Sequence, residues 1–309
     1  MSFLLLFYEM GTLFVFAAIG FIVKYLKVIP ETSNHVMVQL ILYITLPALI
    51  IYSMDVTLYS NFLIDFFWLM ILSCVMLLIA TGLATLLSKN ASLKQSQKAV
   101  FQALVIFGNQ GFIGYAICYL LLGELGILYA AVFNLSFLIY IWSYGIYIFV
   151  KDKQKISIKN IFLTPGMAST ICGIVILLLP YQLPLFINNV LYSIGSMTIP
   201  LSMLFIGCII ADNKFLLSQF ILNKFLWIAV FTKLVIVPLS LFPSLIFTIS
   251  LDVVMVAILI ASMPSAPTTP MFAKKYAGDD IFASIGVSLS TLLSFITVPF
   301  LYFLLFLLI

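Results

Sequence analysis

The chain has 309 residues, yet it contains no arginine, a single histidine (His35) and only ten acidic residues. Charged residues make up 8% of it, against about 25% in a soluble domain, too few to cover a water-facing surface. Without arginine there is no bidentate clamp for phosphate or carboxylate. One histidine and scattered acids supply no metal-ligand set, no cofactor site and no mark of a nucleic-acid partner. An intramembrane enzyme would need an acid or nucleophile cluster at one depth, and none is visible. The four cysteines, Cys74, Cys118, Cys172 and Cys208, each lie inside an apolar run. They are expected as small buried hydrophobes, not as disulfides or metal ligands.

What the chain does have is apolar length: 64% hydrophobic residues and a mean hydropathy of +1.28. Its runs are about twenty residues or longer, which suits spanning helices and not the alternating ~10-residue strands of a membrane barrel. Ten segments separate, at 3–23, 36–54, 62–87, 98–122, 125–150, 161–180, 185–211, 217–248, 252–275 and 280–309. The eighth exceeds one straight crossing and is expected to begin as an amphipathic lead-in. The first lysine, Lys24, follows the first apolar stretch, so that stretch reads as a spanning helix and not a signal peptide. Of the 14 basic residues, all lysine, 13 fall in every second connection. They are Lys24 and Lys27; Lys89, Lys94 and Lys98; Lys151, Lys153, Lys155 and Lys159; Lys214 and Lys224; and Lys274 and Lys275. The positive-inside rule then places those loops in the cytoplasm and both termini outside. The expected class is an all-α, multi-pass protein of the cytoplasmic membrane, surrounded by lipid.

Sliding the chain on itself by 153–155 residues aligns Gly20 with Gly173, Pro30 with Pro184 and Asn34 with Asn188. The same offset aligns Thr45-Leu46-Pro47 with Thr198-Ile199-Pro200 and Gly123-Glu124 with Gly278-Asp279. The halves, 1–150 and 151–309, then hold five spans each. Because five is odd, the second half is inverted relative to the first, an arrangement typical of secondary transporters. Segment four carries Phe107-Gly108-Asn109-Gln110-Gly111-Phe112-Ile113-Gly114 at mid-span, and segment nine carries Pro264-Ser265-Ala266-Pro267-Thr268-Thr269-Pro270. Glycines in one and donor-less prolines in the other predict that both helices break. The offset sets Asn109 opposite Pro264 and Gly111 opposite Ala266. Broken backbone at membrane depth is tolerated only against protein or a wet cavity. Two opposed breaks predict crossed half-helices with positive N-terminal ends directed at an anion.

The run Pro264–Ala283, PSAPTTPMFAKKYAGDDIFA, followed by Ser284–Ser294 and Pro299, resembles the last two helices of the auxin efflux carrier family. That family includes bacterial malate and malonate permeases and the plant auxin carriers. Asn109 to Gly114 resembles its first crossover. Thr45-Leu46-Pro47 and Thr198-Ile199-Pro200 resemble the paired prolines of its second and seventh helices. One departure is Ala116, where the family usually has proline, so the first crossover should bend through Gly108, Gly111 and Gly114 alone. The resemblance implies a ten-helix fold shared with bile-acid and sodium/proton carriers. It also implies a scaffold of helices one, two, six and seven, a homodimer, and elevator-like alternating access.

Lys233 stands inside segment eight, where a lysine costs about 2.5–3.5 kcal/mol on insertion scales. It is either a counter-charge for an anion or a substitute for sodium, or else a structural partner of neighbouring helices. Asn134 in segment five either donates to a carboxylate or bridges helices. Asp65 resembles an acidic position heading the family's third helix; it is either a proton- or charge-sensing group or an interfacial acid near a helix start. Neither break contains an acid, leaving proton coupling, sodium coupling and uncoupled movement open. The expected function is secondary transport of a small organic anion. Its substrate residues are Asn109, Gln110, Gly111, Asn134, Pro264, Ser265, Pro267 and Thr268, with Lys233 and Asp65 for charge or coupling. The rivals are an anion channel and a non-transporting sensor on the same scaffold.

Overall fold

The computed structural model describes residues 3–30, 33–55, 62–149, 165–179, 181–220, 223–276 and 278–308. Among the described residues the apolar segments form helix, the way an apolar run satisfies its own backbone in lipid. In chain order these are α1 (Phe3–Tyr25), α2 (Ser33–Met54), α3 (Phe62–Asn90) and α4 (Gln95–Ile106). Then come α5 (Gln110–Leu122), α6 (Glu124–Tyr140, bending 41° into Ser143–Phe149), α7 (Pro165–Leu178) and α8 (Leu185–Gly195). The last are α9 (Thr198–Phe220), α10 (Lys224–Ile246), α11 (Leu251–Ala261), α12 (Thr268–Lys275) and α13 (Asp280–Leu308). No strand longer than a single bridge occurs among the described residues.

Among the described residues, five helical stretches have the length and composition to cross a membrane, or six if bent α6 counts as one span. The other apolar helices are shorter, at 10–17 residues, two of them because segments four and nine are broken. The eighth segment differs from expectation. Residues 217–220 belong to the end of α9, and α10 begins at Lys224, where the Asn223 carboxamide accepts the Phe225 N–H at 3.0 Å. The apparent excess length therefore came from the C-terminal end of α9, not from an amphipathic lead-in. Lys151, Lys153, Lys155 and Lys159 lie outside the described residues.

Two long contacts are built on glycine. α1 runs along α9, and α7 runs along the second part of α2. A Cβ at Gly20 would stand 2.1 Å from the Leu204 carbonyl oxygen, and one at Gly173 would stand 2.3 Å from Met54 Sδ. Small residues let helices approach where no hydrophobic force drives them together in lipid. Polar ties repeat the exchange. The Asn34 amide donates to Asp212 at 2.7 Å, and the Asn188 amide donates to Asp55 at 2.7 Å. Each asparagine lies in the first turn of its helix, α2 or α8, while Asp55 caps the end of α2 and Asp212 lies within α9. Two cysteines depart from expectation: Cys118 and Cys208 are buried, but Cys74 and Cys172 are exposed on outward faces. An apolar thiol faces lipid as readily as it faces a core.

Candidate functional site

The two breaks meet. α4 ends at Ile106, and Phe107 leaves the helix with φ −93° and ψ 113°. Asn109 (φ −77°, ψ 60°) is likewise non-helical, after which the chain re-enters a wide turn over Gln110–Gly114 and then regular helix. On the other side α11 ends at Ala261, and α12 restarts at Thr268 with Pro267 as its N-cap. Pro264 and Pro267 lie within the gap. Pro270 falls in the first turn of α12, where no intrahelical donor is needed.

Gly108 and Ser265 form an isolated antiparallel bridge between the gaps. The Asn109 N–H donates to the Pro264 carbonyl at 2.6 Å, and the Ala266 N–H donates to the Phe107 carbonyl at 2.9 Å. The Ser265 hydroxyl donates to the Leu104 carbonyl at 2.7 Å, and the Ser265 N–H donates to Ser290 Oγ at 3.1 Å. Freed backbone groups of one break are thus satisfied by the other, as a buried main chain requires. The expected bend through three glycines is corrected. The non-helical residues are Phe107–Asn109, and Gly111 and Gly114 lie within the wide turn. Among the three, only Gly108 is held by close approach, because a Cβ there would be 2.9 Å from Lys233 Nζ. Gly111 would meet nothing nearer than Leu46 Cδ2 at 3.9 Å.

The polar side chains here are buried and several are unanswered. Asn109 Nδ2, both amide atoms of Gln110, Asn134 Oδ1, Thr268 Oγ1 and Thr269 Oγ1 have no protein partner. Asn134 projects from α6 against Tyr115, one turn beyond the first break. In the interior such groups are almost always paired, so this collection next to two backbone gaps is the feature in need of a ligand. Sequence reasoning placed Asn109, Gln110, Asn134 and Thr268 in it. It missed Thr269, whose hydroxyl is equally unmet. The hydroxyl of Ser265, expected as a substrate donor, is committed to Leu104. Nearby walls are aromatic: Phe107 lies 6.0 Å from Phe137 and 6.2 Å from Tyr140 between ring centroids, and Phe112 lies 5.7 Å from Phe205.

Lys233 is fully buried and donates to the Ala261 carbonyl at 3.3 Å. It sits in a wide turn, Thr232–Ile236, just ahead of Pro238, whose missing N–H loosens the preceding turn. Asp65 in α3 is also buried and accepts the Tyr129 hydroxyl of α6 at 2.5 Å.

A family model described as "Membrane transport protein" matches residues 5–302. The chain is also 25% identical over 200 residues to an uncharacterized transporter of Methanocaldococcus jannaschii. That similarity spans 62% of this chain and 65% of the other protein's length. Apolar helices throughout, breaks stitched together in the interior, and a match over nearly the whole length lead to one conclusion: the chain is a multi-pass membrane protein that belongs to the membrane transport protein family, that of the auxin efflux carriers.

Proposed function

We propose that this protein is a secondary carrier for a small organic anion, whose carboxylate is held where the two helix breaks meet. The observation carrying this reading is the set of buried, unpartnered amide and hydroxyl groups beside the joined breaks. Asn109 Nδ2, Gln110 Nε2 and the hydroxyls of Thr268 and Thr269 are donors. α5 and α12 both begin at the gaps, and their N-terminal N–H groups favour negative charge. Gly111, Pro264 and Pro267 keep the backbone open, Ser265 fastens the two gaps to each other, Asn134 forms the far wall, and Lys233 offsets the anion's charge.

The wider reading comprises ten spans in two inverted halves, 1–150 and 151–309, with both termini outside the cytoplasmic membrane. It is supported by the exchanged pairings of α1 with α9 and α7 with α2. The Asn34–Asp212 and Asn188–Asp55 ties, made by residues that the repeat offset relates, support it too. Elevator motion and a homodimer belong to the same proposal, with the family resemblance as their support. Asp65 is the buried acid available for proton coupling.

The experiment is a thermal-shift screen of mono- and dicarboxylic acids on the purified protein and on Asn109→Ala. A ligand should stabilise the parent, by about 2.7 kcal/mol at a hundred times its Kd, and leave the variant unmoved. Equal stabilisation of both proteins removes the breaks from the binding site. No response to any acid removes the substrate class.

A further inference from the structure

On the face away from the lysine-bearing connections, Tyr52 of α2, Tyr192 of α8, Tyr119 of α5 and Glu124 of α6 lie together. The Tyr52 hydroxyl donates to the Glu124 carboxylate at 2.5 Å, and its ring centroid is 5.2 Å from that of Tyr192. Tyr119 is within electrostatic reach of both Glu124 and Tyr192. The bond joins two groups of helices, each firmly held within itself. Asp55 ties the end of α2 to Leu183 and Asn188, and a Cβ at Gly195 of α8 would stand 2.8 Å from the Leu49 backbone. In the other group the chain turns from α5 to α6 at Gly123, and a Cβ at Gly126 would stand 2.0 Å from the Cys118 carbonyl oxygen. α3 is fastened to α6 by Ser73, whose hydroxyl donates to the Phe133 carbonyl at 2.8 Å. α5 leads directly out of the first break and α6 carries Asn134, so Glu124 marks the far corner of the helices that bear the candidate site.

The repeat does not reproduce this bond. Its offset pairs Glu124 with Asp279 and, in the register of Pro47 and Pro200, Tyr52 with Phe205. Phe205 has no hydroxyl and packs on Phe112. Asp279 accepts from Gln97 Nε2 of α4 at 3.0 Å and from the Phe282 N–H at 2.9 Å. Asp279 thus ties α13 to α4, whereas Glu124 ties α6 to α2.

We propose that Tyr52 and Glu124 form a one-sided latch, whose bond holds the face away from the lysine loops shut until the α5–α6 corner parts from α2 and α8. Both are positioning residues, and neither touches the transported anion. The motion rests on the carrier reading above; the bond and its missing counterpart rest on geometry and sequence.

The test follows that corner without substrate. Leu63, at the start of α3, and Leu185, at the start of α8, are both exposed. Spin labels are placed at Leu63→Cys and Leu185→Cys in a chain whose four cysteines are changed to alanine. Diluted into unlabelled protein, this chain reports the gap by electron–electron double resonance, and it should give one dominant distance. Tyr52→Phe keeps the ring and should raise the ratio of a longer distance to the short one about tenfold, the weight of a hydrogen bond to a charged group. Glu124→Ala should do the same, and the double variant no more than either single one, because a single bond is lost. Asp279→Ala should leave the distribution unchanged.

A parental distribution in Tyr52→Phe and Glu124→Ala overturns the proposal. Equal opening by Asp279→Ala overturns it as well, since that result marks general loosening. If the cysteine-free chain does not fold, amide exchange in the unlabelled parent and Tyr52→Phe decides the matter. The Gly123 and Gly126 N–H groups donate to the Tyr119 and Gly123 carbonyls. They should exchange about tenfold faster in Tyr52→Phe, and parental exchange overturns the latch. None of these readouts uses an organic acid, so failure here and failure of the organic-anion reading are told apart.

Discussion

Ser265→Ala isolates one bond in the joint between the breaks. The substitution keeps Cβ and removes a single oxygen, so it opens almost no cavity in a fully buried position. What is lost is the 2.7 Å bond to the Leu104 carbonyl. Leu104 lies in the last turn of α4, where carbonyls lack intrahelical donors. Leaving a buried acceptor unmet costs about 1–3 kcal/mol in water-soluble proteins. Interhelical bonds in a membrane protein average about 0.6 and reach about 1.7 kcal/mol, because the unfolded chain in the membrane also finds partners. A carbonyl enclosed at a helix end has few substitutes, so a cost near the top of that range, about 1.5 kcal/mol, is expected. The assay is unfolding in mixed micelles by denaturing detergent, with hydrogen exchange at Phe107–Asn109 as the local readout. Ser290→Ala removes the acceptor of the Ser265 N–H. The two changes together should cost less than their sum by at least about 0.5 kcal/mol, since they loosen one joint. A single-variant cost below about 0.3 kcal/mol with parental exchange would refute the view that the breaks brace each other.

Three further outcomes follow from other positions. Gly108→Ala pushes a methyl to 2.9 Å from Lys233 Nζ and should destabilise by about 1–3 kcal/mol, whereas Gly111→Ala, with its nearest neighbour at 3.9 Å, should be nearly neutral by thermal shift. Lys27 ends α1 with φ 58°, the one non-glycine residue in the left-handed region among those described. Lys27→Gly should therefore stabilise by about 1 kcal/mol, read as a higher melting temperature. Asp55 accepts from the Leu183 N–H at 2.9 Å and from the Asn188 amide at 2.7 Å. Asp55→Ala should cost about 2–3 kcal/mol and Asn188→Ala about half of that in detergent unfolding.

Much of the site was legible because its causes are local. Three prolines in seven residues and a glycine-rich stretch with two amides break helices wherever they stand, and a repeat offset set Asn109 against Pro264. The structure joins those same two residues by a 2.6 Å bond. Other features depend on contacts that no local pattern carries. Thr269 was overlooked because a threonine beside a proline is unremarkable in sequence; its unmet hydroxyl appears only once its surroundings are fixed. Ser265 looked like a ligand donor until Leu104, 161 residues away, claimed its proton. The ties from Asp55 and Asp212 were invisible for the same reason.

The scarcity of charge, the length of the apolar runs and the lost helix donors determined by themselves that this is a helical membrane protein with two interrupted helices. Each of those properties is a cost paid residue by residue against lipid or backbone, so composition and order suffice to reveal it. Which amides stay unpartnered, which carbonyl receives Lys233 and which glycine cannot gain a methyl were decided only by tertiary structure. Those are matters of distance between helices remote in sequence, and a difference of one ångström separates a bonded group from one left open for a ligand.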